Sequence, residues 1–375
     1  MKNISIYRLA LFTLAIFCIT SCDQNTIDEK DDNSEQNTID GKDDNNSNDE
    51  KDDNNSKLPI INETINIIKV FNNAYLDDIS FADDSVGYIS GHDGHAVIAK
   101  TTDGGNNWEE IPVVIDGQTT SDRFQNIYAK SRNEIYGTFG VIYSDFESCF
   151  SNDGGQTWTR INNLGWKELF YRTPQVGFIV HTSGDILKTK DGGKTWTTVH
   201  EAFGEIKYPN QYLKKCFFTS EKIGYAFGGA SLISFAGPHV FFGGILKTTD
   251  GGDTWFGLDS WNDSNNPLEL VFSDDNTGYA FNHDSNIYRT TDGGKTWELL
   301  KNTTKLDYYI NNVFITKNDD IYIIDARNIL KTIDIFKSTS VIYNSKSRIG
   351  KAIHISDKSI FALSYDDKSV IKITL

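Results

Sequence analysis

The octad Thr290–Trp297, TTDGGKTW, decides how this chain folds, because the chain repeats it four more times with small changes. The other copies are TTDGGNNW at Thr101–Trp108, SNDGGQTW at Ser151–Trp158, TKDGGKTW at Thr189–Trp196 and TTDGGDTW at Thr248–Trp255. Their aspartates, Asp103, Asp153, Asp191, Asp250 and Asp292, stand 50, 38, 59 and 42 residues apart. Uneven spacing about a constant core describes one repeating unit with loops of varying length inserted into it.

Each octad has a fixed neighbourhood. Upstream lies a Gly-aromatic strand, as in VGYIS at Val86, VGFIV at Val176, IGYAFG at Ile223 and TGYAF at Thr277, with EIYGTFG from Glu134 in its place in the second unit. An apolar strand ending in polar turn residues precedes it, as in ISFADDS from Ile79 and LVFSDDN from Leu270. A third strand, such as GILKT from Gly244 or NIYRT from Asn286, enters the octad, and a fourth follows the tryptophan. Four short strands with turn punctuation every 40 or so residues predict a propeller blade.

Two weaker copies extend the count. The stretch from Asp320 keeps the strands and Asp334 but has Ile335-Phe336 for the glycines and Thr339 for the tryptophan. The last stretch, from Ser359, supplies a second and third strand and then ends. ETINIIKVFN, Glu63–Asn72, precedes the first blade and has no blade of its own, so pairing the two terminal strands would close the ring without an open edge. The expected fold is all-β: a single seven-bladed propeller of four-stranded antiparallel blades over residues 58–375, about 45 residues per blade. With no free edge, it is expected as a monomer.

Within a blade the octad is the hairpin turn between strands three and four. Adjacent glycines accept positive φ, the Asp carboxylate and Thr or Ser hydroxyl accept from the turn's own amides, and the Trp ring (Trp108, Trp158, Trp196, Trp255, Trp297) packs beneath it and against the next blade. The word S/T-x-D-G-G-x-T-W resembles the Asp-box, or BNR, repeat. Its pairing with GYAFG-like strands is most similar to propellers of the photosystem II assembly-factor type, within the broader sortilin-like BNR superfamily. That resemblance implies a fold and a scaffolding role, while related propellers host sialidases, glucanases and sorting receptors. A residue repeated five times is expected to be structural, not a unique catalyst.

The N-terminal residues speak to location. Lys2 and Arg8 flank an apolar run, Leu9–Ile19, of secretory length and too short to span a bilayer, followed by ITSC ending at Cys22. This resembles a bacterial lipobox, which implies a signal peptide over 1–21 and lipidation of Cys22; an ordinary signal peptide is the alternative. Residues 23–57 carry 13 Asp or Glu against 4 Lys and almost no apolar side chains. Residues 22–57 thus form the lipidated cysteine and an acidic tether that cannot fold on its own. It resembles the surface-export signals of Bacteroidetes lipoproteins, and a plain spacer would look alike. The expectation is a lipid anchor in the outer membrane, facing the periplasm or the surface. Setting aside the tether's −9 and the leader's +2 leaves −9 of the total −16 on residues 58–375, which excludes a nucleic-acid partner. Cys149 and Cys216 are expected as free buried thiols.

Sialidase chemistry needs an arginine triad on the substrate carboxylate. The nearest match to that family's motif, Arg172 and Pro174, falls in a strand-and-turn slot of the third blade. Glucanases of this repeat use two facing propellers, which one ring cannot supply, although paired carboxylates on one ring remain open to a glycosidase. His92, Asp93 and His95, and likewise His283 and Asp284, fall in second-to-third-strand turns and read as solvated turn residues; no metal or other cofactor is expected. Long connections start at Pro112, His200, Gly228 and Gly257, all on the face opposite the octads. They carry Arg123, Tyr208, Phe235, His239, Phe241 and Trp261. Aromatics with polar rims suit an envelope protein or a glycan, or else pack over the end of the channel. The expectation is a non-catalytic protein-interaction scaffold, with carbohydrate binding or hydrolysis as the alternative.

Overall fold

The computed structural model describes residues 63–119, 123–140, 147–161, 164–181, 183–201, 213–232, 240–258, 261, 267–282, 286–300, 310–332, 334–366 and 368–375. Residues Lys57–Leu375 form one compact unit. Among the described residues there are seven four-stranded antiparallel sheets, and no helix long and apolar enough to cross a membrane.

Blade one runs outward through Tyr75–Phe81, Gly87–His92, Ala96–Thr101 and Glu109–Ile111. The innermost strands of the next five blades are Arg123–Ala129, Trp166–Tyr171, Leu213–Phe218, Pro267–Phe272 and Asn312–Ile315. Blade seven is composite: Ile349–Ile355, Ser359–Ser364 and Ser369–Thr374 come from the C-terminus, and Thr64–Lys69 pairs antiparallel with the last of them, Ile67 opposite Ile371. The terminal strands therefore close the ring. Glu63 tightens the join by accepting from Tyr322 Oη at 2.7 Å and Lys331 Nζ at 2.6 Å in blade six.

The octads fold alike. In Thr290–Trp297, the Thr290 hydroxyl accepts from Gly294 N at 2.9 Å, while Asp292 accepts from Thr296 N at 2.9 Å and Thr296 Oγ1 at 2.7 Å. Both glycines of every octad have φ between +72° and +97°. A Cβ on Gly105 would meet the Phe361 ring at 2.5 Å, so glycine is required for space as well as angle. The copy at Asp334 keeps this turn without glycines. Ser338 N and Oγ reach Asp334 at 2.9 and 2.5 Å, and Ile335 and Phe336 take φ of 57° and 64°. Side chains disfavour that region, so this copy folds under local strain.

Ties between blades explain the residues around the octad. The lysine of the third strand reaches the first-glycine carbonyl of the octad in the following blade: Lys188 to Gly251 at 2.7 Å, Lys247 to Gly293 at 2.7 Å and, from blade seven, Lys372 to Gly104 at 2.8 Å. The tyrosine of the Gly-Tyr strands donates to the following blade, Tyr88 to Arg132 O at 2.8 Å and Tyr225 to Asp275 O at 3.0 Å. Its glycine is covered by an innermost-strand ring: a Cβ on Gly278 would lie 2.6 Å from the ring of Phe272. The octad tryptophans pack toward the preceding blade, which corrects the expectation that they face the next one. Trp158 joins a core cluster with Tyr88 and Ile98 of blade one, and Trp255 one with Phe178 and Ile186 of blade three.

Candidate functional site

Two of the long connections do not present their apolar residues to a ligand. Val113 and Ile115, after Pro112, are buried in the cluster that holds Trp158, and Trp158 N donates to Val114 O at 3.0 Å. Trp261 is only 8% exposed and meets Trp297 edge-on at 5.6 Å. Blades diverge toward the rim, and these residues fill the wedges between neighbours, which removes apolar surface from water. Trp261 is therefore core, not part of a binding face. Tyr208, Phe235, His239 and the side chain of Phe241 lie outside the described residues, as do His283, Asp284 and Cys22.

Arg123 lies where the sequence places it, at the channel end of an innermost strand opposite the octads, and there it meets residues from blade one. The Asp77 carboxylate is buried, accepts from the Arg123 guanidinium, and lies 2.7 Å from His92 Nδ1. Burial raises the Asp77 carboxyl above its ordinary value, opposed by hydrogen bonds from Arg123 and His92. This corrects the reading of His92 as a solvated turn residue: it is a hydrogen-bond partner of Asp77. His95 remains on the surface beside Asp93, at 2.9 Å.

Above this pair, Tyr75 is 48% exposed, stacked on His92 with ring centroids 5.4 Å apart, and Lys368 Nζ sits 4.3 Å from its ring. Two strands of blade one and a turn of blade seven thus pack around one exposed aromatic, with an ionic pair beneath it. Sequence reasoning missed Tyr75 and Asp77 because they sit in an innermost strand that reads simply as a blade element.

The channel beside this rim has a volume of about 1440 Å³ and is lined by innermost strands, including Asn126, Glu168, Lys215, Asn312 and Lys351. A β-bulge interrupts every innermost strand but that of blade six, near the end opposite the octads. Bulges re-aim side chains. Here they bring charged residues to the axis, where Lys351 Nζ meets Asp78 at 2.6 Å and Glu269 meets Lys214 and Lys215 at 3.3 and 3.4 Å.

Among the described residues, Arg132, Arg160 and Arg172 do not converge on one site. Arg132 pairs with Asp83 at 2.6 Å, the Arg172 guanidinium donates to Glu221 O and lies over Phe218, and Arg160 sits near Asp116 and Glu147. Each ties neighbouring elements together. Cys149 and Cys216 are free and buried, and burial pushes both thiols well up. Among the described residues no group of three or more His, Cys, Asp or Glu is placed to hold a metal ion.

Comparison with known proteins agrees with this geometry. Residues 60–167 match the family model described as photosynthesis system II assembly factor YCF48, and residues 288–299 match the BNR/Asp-box repeat. No curated protein matches the sequence. Among solved structures, YCF48 bound to D1 peptide is 17% identical with a TM-score of 0.62, covering 83% of this chain and 97% of that one. YCF48 from Cyanidioschyzon merolae is 18% identical with a TM-score of 0.63, covering 83% and 98%. The WD40 propeller domain of Doa1 is 13% identical with a TM-score of 0.54, covering 83% and 97%. The chain is a seven-bladed Asp-box β-propeller whose first two blades match the photosynthesis system II assembly factor family.

Proposed function

We propose that this chain is a non-catalytic, lipid-anchored scaffold of the bacterial cell envelope, which binds a protein partner on the face opposite the octads with Tyr75 as an anchor. The observation that carries the reading is the exposed Tyr75 ring, packed against His92 and Lys368 near the Asp77–Arg123 pair. An aromatic fixed before binding contributes area with little loss of rotamer entropy, and such residues dominate protein interfaces. The family match over blades one and two supports it, as does the similar structure described as YCF48 bound to D1 peptide. The octad face is occupied by blade-to-blade ties. The leader and Cys22 support the lipid anchor, and the acidic stretch behind them supports a tether.

Photo-crosslinking tests the reading. A photoreactive phenylalanine analogue at position 75 is expected to trap a discrete protein in cells, and the same analogue at Lys295, in an octad turn, is not. Adducts at 295 with none at 75 would refute it, and a glycan-array response lost in Tyr75→Ala without any protein adduct would replace it with carbohydrate binding.

A further inference from the structure

The register of the innermost strands isolates one carboxylate. Opposite the fourth residue of each second strand stand Asp78, Asn126, Glu168, Lys215, Glu269 and Asn312 in blades one to six, and in blade seven Ala352, with Lys351 in the bulge beside it. Nearly every polar member of this ring has a partner. Asp78 takes Lys351 at 2.6 Å and Ile127 N at 2.9 Å, and Asn126 donates to Thr138 at 2.8 Å. Glu269 takes two lysines, and Asn312 accepts from Ala352 N at 3.0 Å. Glu168 lines the channel with no hydrogen bond or ion pair to any described residue.

Glu168 is half-buried and its carboxylate faces the channel, so the donor that can match it is one that enters the channel. Burial raises the Glu168 carboxyl, opposed by the fields of Lys351 and Lys215. Those lysines have donors to spare. Lys351 meets one carboxylate, Lys215 meets Glu269 only at 3.4 Å, and they are 35% and 29% exposed. A lone cation would satisfy Glu168 but add charge beside two ammoniums; a lone anion would suit the lysines but repel Glu168. One molecule carrying both signs satisfies all three without adding net charge to the channel.

We propose that the axial channel binds a small zwitterion, its ammonium on Glu168 and its carboxylate on Lys215 and Lys351, with Trp166, Phe217 and Ile353 as the apolar wall for its side chain. The chemistry is that of a free α-amino acid or of a short peptide, and it is independent of the Tyr75 surface.

The test uses the purified full chain, thermal shift and calorimetry. Probes are the free amino acids singly, tripeptides of the best of them, and that amino acid's decarboxylated amine and deaminated acid. At least one zwitterion is expected to raise Tm in a saturable way, with the amine and the acid each at least tenfold weaker. Preference for the amino acid or the tripeptide identifies the source. Glu168→Gln is expected to weaken binding at least tenfold while leaving the unliganded Tm equal or higher, and Lys215→Gln is expected to weaken binding likewise, so the result does not rest on one variant. No shift with any zwitterion, equal binding of amine or acid alone, or unchanged binding in both variants would overturn the proposal.

Discussion

Replacing Asp292 with alanine tests whether the octads hold the fold. The carboxylate accepts from Thr290 Oγ1 at 2.9 Å and from Thr296 N and Oγ1 at 2.9 and 2.7 Å. Three such bonds at about 1 kcal/mol each, discounted for solvent around the exposed Thr296, predict a loss of about 2 kcal/mol. An unfolding entropy of about 2.1 cal/mol/K per residue over the roughly 310 residues of the propeller converts this to a fall in Tm of about 3 °C. The assay is differential scanning calorimetry across pH. The Thr296 hydroxyl, then the turn amides and Thr290, hold Asp292 at about 2 against an ordinary 3.8. A folded-state value below the unfolded one contributes stability that is complete above the unfolded value and is lost as pH falls through the folded one. The gap between wild type and Asp292→Ala is therefore expected to be full at pH 7 and to shrink between about pH 4 and pH 2. A gap that is absent at pH 7, or that widens on acidification, would refute the reasoning.

Other perturbations separate the remaining claims. Gly105→Ala, at φ +78° with Phe361 at 2.5 Å, is expected to lower stability by more than about 2 kcal/mol in denaturant melts. Ile335→Asn is expected to raise stability by about 1 kcal/mol, because asparagine tolerates the left-handed angle that a β-branched residue resists. Deleting Thr64–Lys69 uncovers the edge of Ser369–Thr374 and is expected to give self-associated species in size-exclusion chromatography. Cys22→Ala is expected to move the chain from the membrane to the soluble fraction, and retention in the membrane would contradict the lipid anchor.

The blade architecture was legible because each of its devices is local. A turn needing positive φ writes Gly-Gly, a carboxylate serving that turn writes Asp, and a strand crossed by an aromatic ring writes Gly before Tyr. Even closure by Thr64–Lys69 could be read, since a strand without a blade stood at one terminus and a blade without a fourth strand at the other. The site was less legible because its contacts join residues distant along the chain. Asp77 meets Arg123 of the next blade, and Asp78 meets Lys351 of the last. Nothing near His92 in the sequence shows that a buried aspartate waits beside it. Trp261 misled in the opposite direction: a tryptophan in a long polar connection looks like a ligand contact, and its role depends on the gap beside Trp297. The position of Arg123 on the face opposite the octads could be read from its long connection but its pairing with Asp77 could not, and Tyr75, the exposed aromatic of this rim, reads as an ordinary strand residue.

The most direct test of the division between structural octads and a binding rim is partner capture by Asp292→Ala and Tyr75→Ala, measured side by side at a temperature where both are folded. Asp292→Ala is expected to capture at the wild-type level, and Tyr75→Ala to lose capture. Capture abolished by the octad variant and untouched by the Tyr75 variant would contradict that division.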